Sequence, residues 1–117
     1  MRQPDEAVLL DMLTFARRIC EKAQSVTRAE FDADEDLQLA LTHLIQIVGE
    51  AASRASKGLQ SAYPEVPWTE IIGMRHRIVH DYLRVQADVV WETATDDIPP
   101  LIQILAPLIP DEPPETT

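Results

Sequence analysis

Only one cysteine, Cys20, occurs in the 117 residues. An internal disulfide framework is excluded, and the composition suits a reducing cytosol. Glycines number three, and there are two each of Phe, Tyr and Trp. With so few aromatic and turn-forming residues, and with Leu, Ile, Ala and Val in excess, the chain does not read as a β-sandwich. It reads as helix packed on helix. Cations are scarce as well: 10 Lys+Arg stand against 20 Asp+Glu, a formal net charge of -10. Such a surface repels nucleic acid over most of its area, so a polyanion must meet a local basic patch or one pooled from two chains. Long apolar runs are missing too. The longest uncharged stretches, 37–49 and 98–110, span about 13 residues, where a membrane-crossing helix needs about 20. The second of them holds Pro99, Pro100, Pro107 and Pro110. Asp5, Glu6 and Asp11 interrupt any apolar run at the N-terminus, so no signal peptide is expected there.

What is present is helical periodicity. The length fits one domain, and 45% hydrophobic residues can furnish a core. Residues 5–26 place Leu9, Met12, Leu13, Ala16, Ile19, Cys20 and Ala23 on one face of a first helix. Thr27 and Glu30 have capping-box spacing and predict a short helical turn over 27–31. The acidic run 32–36 suits the start of a second helix over 35–57, with Leu37, Leu41, Leu44, Ile45, Val48, Ala52 and Ala55 as its stripe and Gly58 as its stop. Pro64 and Pro67 mark a loop at 63–68. A third helix begins at Pro67–Trp68, carries Ile71, Ile72, Arg75, Ile78 and Val79, and ends around His80–Leu83. A fourth starts near Ala87. Pro99 and Pro100 are expected to break or restart it, with further helix over 101–106. The expected product is an all-α antiparallel bundle of four to five helices occupying 1–110. Residues 111–117 form an acidic, proline-rich tail expected to be disordered.

One stretch contradicts the acidic balance. Residues 73–82, GMRHRIVHDY, hold Arg75, His76, Arg77 and His80, with Arg84 two positions beyond. A solvated polar face is the simplest account. Against it, Arg75 and Tyr82 share nearly one azimuth of an ideal helix, close to that of Ile71, Ile72 and Ile78. A cation there needs a partner. Glu50, flanked by apolar and small residues on the second helix, can serve as that partner or be an ordinary exposed acid. Gly49 and Gly73 sit inside helices, where each costs about 1 kcal/mol relative to Ala. Close helix approach would account for both. His76 and His80 have the spacing of a two-histidine metal site, but no third ligand is evident, and His43 reads as a lone surface or boundary histidine. An arginine and a histidine suit phosphodiester chemistry: the guanidinium holds phosphate and the imidazole moves a proton. One His80 supplies one proton-transfer group; two-fold pairing of two chains would supply two and pool the arginines.

These residues resemble a known family. RHRIVHDY (75–82) is similar to the Arg-x4-His-x-Tyr signature of HepT-like toxins in the HEPN superfamily. LLDML, IVGEAASRAS, YPEVPWTEIIGMRHRIVHDY and VVWETATDDIP follow in the family's order, over roughly residues 8–106. Asp81 replaces an expected glycine, and Pro100 is unusual in the last helix. The resemblance implies a homodimeric HEPN bundle with metal-independent RNA endonuclease activity and no cofactor. It assigns phosphate and transition-state contact to Arg75, proton transfer to His80 and a positioning role to His76. It further implies a nucleotidyltransferase antitoxin partner of the MntA type that transfers AMP to Tyr82. The competing expectation is a non-catalytic dimeric module that binds a nucleotide or such a partner, with His80 structural. A bundle with a purely structural Arg75–Glu50 pair is the third.

Overall fold

The computed structural model describes residues 5–78 and 86–109, apart from the side chains of Arg75, His76 and Ile78. The described residues are helical, with no strand among them, and the expected all-α bundle is what they form. The elements are α1 (Asp5–Gln24), α2 (Arg28–Asp32), α3 (Glu35–Ser53), α4 (Lys57–Ala62), α5 (Trp68–Ile78), α6 (Ala87–Glu92) and α7 (Ile98–Leu105). A π turn, Thr93–Asp97, joins α6 to α7 without a break, and a 3-10 turn, Ala106–Leu108, ends the last helix. No described helix is long and apolar enough to cross a membrane.

α3 lies at the centre, packed on α1 along one flank and on α5 along the other, and α7 covers α1. The first helix buries the stripe expected of it, with Val8 added: Met12, Leu13, Ala16 and Ile19 have no exposed surface. Leu41, Ile45 and Val48 of α3 meet them, and Ile98, Leu101 and Leu105 close the core from α7. The capping box at α2 is formed in both directions. Thr27 Oγ1 accepts from the Glu30 backbone N–H at 3.1 Å, and Glu30 Oε1 accepts from the Thr27 N–H at 2.8 Å. Asp34 caps α3 by accepting from the Leu37 N–H at 3.0 Å.

Two expectations at the helix ends are corrected. The second helix does not run to residue 57. It stops at Ser53, because Ser56 takes an extended backbone and starts a new helix. Ser56 Oγ accepts from the Leu59 N–H at 3.0 Å and donates to Asp5 Oδ2 at 2.9 Å, so one hydroxyl both caps α4 and ties it to α1. Gly58 therefore lies in the first turn of α4 and stops nothing.

Of the two outcomes expected at Pro99 and Pro100, the helix restarts there and is not broken. In an unbroken α-helix their missing N–H groups would orphan two carbonyls, and their rings would strike the preceding turn. The π turn widens the ladder just ahead of them: the Ile98 N–H pairs with the Thr93 carbonyl, five residues back. The prolines then fall in the first turn of α7, where no N–H is needed.

Candidate functional site

The motif helix is held at its start by Trp68. The indole is buried, and its Nε1–H donates to the Tyr63 carbonyl at 3.0 Å, locking the loop before α5 to the helix itself. Below it Ile71 and Met74 enter the core, at 1% and 4% exposure, while Ile72 is only partly buried. The core face of α5 is thus centred on 68, 71 and 74. The expected stripe, marked by Ile71, Ile72 and Ile78 with Arg75 near it, included Ile72 and omitted Met74. On helical spacing, position 75 falls between the azimuths of 68 and 71, about 40° from the centre of this face, while 72 falls on its flank.

Arg75 and His76 occupy the last described turn of α5. Their side chains, and His80, Asp81, Tyr82 and Arg84 altogether, lie outside the described residues. Glu50 is on α3, the helix against which α5 packs, and it is exposed. A pairing between Glu50 and Arg75 would therefore sit at the surface and not in a dry interior. His43 is exposed, in keeping with a surface histidine.

Arg77 is committed elsewhere. Its Nη2 lies 3.6 Å from Asp97 Oδ2 in the π turn, and both side chains are about half exposed. Two positions from Arg75 is about 200° around a helix. Arg77 accordingly looks away from the azimuth of Arg75, and its charge is partly offset by a carboxylate.

Gly73 corrects another expectation. Among the described residues no neighbouring helix approaches it: a Cβ built there would meet nothing within 4 Å. It lines a cavity of about 550 Å³ between α5 and the segment formed by the π turn and α7. Gly49 is buried on α3. The sequence reading missed this cavity, because its walls come from elements some 25 residues apart and no single periodicity links them.

An all-α bundle whose core helix α5 carries Arg75, the first residue of the Arg-x4-His-x-Tyr motif, defines the class, and comparison with known proteins places the chain within it. The sequence model of the family described as Ribonuclease HepT-like matches residues 12–108. The chain belongs to this family of HEPN-type ribonucleases. Similar proteins include "Probable ribonuclease HepT" of Thermococcus cleftensis, 30% identical over 101 residues covering 86% of this chain and 92% of the relative. "Putative RNase MJ0125" of Methanocaldococcus jannaschii is 29% identical over 106 residues, 91% of each chain. "Putative RNase TTE0752" of Caldanaerobacter subterraneus is 32% identical over 83 residues, 71% of this chain and 74% of the relative. No solved structure matches at a significant level.

Proposed function

We propose that the protein is the toxin of a toxin–antitoxin pair, a metal-independent RNA endonuclease whose active site is completed by a second copy of the chain. The observation that carries this reading is the family match over residues 12–108, which spans the intact motif Arg75, His80 and Tyr82. In the proposed reaction the ribose 2′-oxygen attacks the adjacent phosphorus and the bond to the 5′-oxygen breaks. One proton must leave the 2′-hydroxyl and one must reach the 5′-oxygen. His80 of each protomer serves one of these transfers, and Arg75 holds the phosphate as charge builds on it. His76 positions the groups, and Glu50 supports Arg75 from α3. An acidic chain can accept RNA because two motif helices pool their cations at one cleft.

Tyr82 is the regulatory residue of this scheme. A nucleotidyltransferase antitoxin of the MntA type joins its phenolic oxygen to the α-phosphorus of ATP, releasing pyrophosphate. The added AMP places bulk and negative charge where an RNA phosphate must bind.

The test is expression of the chain alone, with cleavage of cellular RNA followed in the presence of a chelator. The parent should slow growth and degrade RNA with chelator present, and His80→Ala should do neither. Equal toxicity of the two would remove His80 from the chemistry. Intact mass after co-expression with such a nucleotidyltransferase should show AMP additions that Tyr82→Phe lacks.

A further inference from the structure

The cavity beside Gly73 has no role in RNA cleavage as proposed, and its chemistry is distinct from that of an RNA site. Its floor is apolar, built from Ile71 and Met74 of α5 and Leu101 and Ile104 of α7. Among the described residues its rim carries three carboxylates, Glu70, Asp96 and Asp97, against one guanidinium, that of Arg77. Three acids less one cation leave a net formal charge of minus two around an oily slot. A polyanion is repelled by that rim. A second copy of the chain would bring its own net charge of -10 toward it. A cationic, amphipathic occupant is what the charges fit.

Gly73 is an independent sign that something enters. A glycine within a helix is a liability of about 1 kcal/mol relative to Ala, and the usual gain, a close neighbouring backbone, is missing because nothing lies within 4 Å of its Cβ position. The bare backbone opens onto the cavity instead. The space at Gly73 is open to a visiting group. The Arg77–Asp97 pair at 3.6 Å is long and half exposed, so Asp97 can accept a new cation with little loss.

We propose that this groove docks an amphipathic helical segment of a partner protein, one or two large apolar side chains filling the slot between α5 and α7 and flanking Lys or Arg side chains meeting Glu70, Asp96 and Asp97. Its occupant would lie along the helix that carries the Arg75 motif. Docking does not require RNA cleavage, so His80→Ala should bind as the parent does.

The probe is a synthetic helical peptide with leucines on one face and lysines on the other, labelled for fluorescence anisotropy, alongside its glutamate counterpart. The lysine peptide should bind the full chain and the glutamate peptide should not. Gly73→Trp, which fills the slot from a position where side-chain atoms meet open space, should weaken binding by about tenfold or more. Asp96→Asn should weaken it several-fold. Asp36→Asn, an equal charge loss at the exposed start of α3, should leave it within about twofold. Circular dichroism confirms that each variant is folded. Unchanged affinity in Gly73→Trp and Asp96→Asn would overturn the assignment. So would equal weakening by Asp36→Asn, which would make the binding a property of overall charge. Loss of self-association in Gly73→Trp, measured by sedimentation, would give the groove to a second copy and overturn it as well.

Discussion

The rings of Phe31 and Trp91 lie 4.9 Å apart, centre to centre, and are tilted by 40°. Phe31 comes from the short helix α2 and is wholly buried; Trp91 comes from α6. Beside them Arg28 of α2 bonds Asp32 within its own helix and Asp88 of α6, and those bonds, with Asp32 first, raise its proton affinity further. A five-residue helix is too short to persist alone. It is held by this apolar contact and an exposed ionic one.

Phe31→Ala should remove about 3–5 kcal/mol of stability, through lost transfer energy and an unfilled cavity. That is a large share of what a domain of this size possesses. Urea unfolding checks it as a fall in midpoint with the slope kept. Arg28→Met should move the midpoint far less, because its bonds stand in water.

Thr27→Ala should cost about 1 kcal/mol by removing the hydroxyl that satisfies the Glu30 N–H. Thr27→Ser retains that acceptor and should recover most of the loss in the same unfolding assay.

Gly73→Ala should stabilise the protein by about 0.5–1 kcal/mol, since α5 gains a better helix former and the new methyl meets nothing within 4 Å. A thermal melt that shifts downward would mean that some part of the chain already fills that space.

Cys20 is buried at 8% exposure, and burial raises its thiol above the ordinary value of 9.0. Above that pH the unfolded chain has lost the thiol proton while the native chain still holds it. The stability contributed by the neutral thiol is complete below pH 9 and is lost as pH rises through the native value. Cys20→Ala should therefore fall less steeply with alkaline pH than the parent, measured as the difference between their urea midpoints from pH 8 upward.

The core of α1 was legible from sequence because a long amphipathic helix repeats its signal at every turn; Leu9, Met12, Leu13, Ala16 and Ile19 all sit where their spacing puts them. Thr27 and Glu30 were legible because a capping box is a local bond between named atoms. The end of α3 was not, because Ser56 acts through a hydroxyl shared with Asp5, which is 51 residues distant. The face of α5 takes in Met74 where Ile72 was expected. Ile72 and Met74 are both apolar, and only the position of α3 decides between them.

The site divides along the same line. Arg75, His80 and Tyr82 could be named as candidates because their chemistry is written in one short motif. The pairing of Arg77 with Asp97 could not be read there, since it depends on Asp97 arriving from another element.

The π turn sets the phase of everything after it. Deleting one residue from 93–97 would not merely shorten the chain there; it would rotate α7 by about 100° about its own axis. Leu101 and Leu105 would swing out of the interior, and Asp97 would lose Arg77. This segment should therefore tolerate exchanges of side chain far better than a change in its length, and its residue count matters more to the fold than the identity of most residues in it.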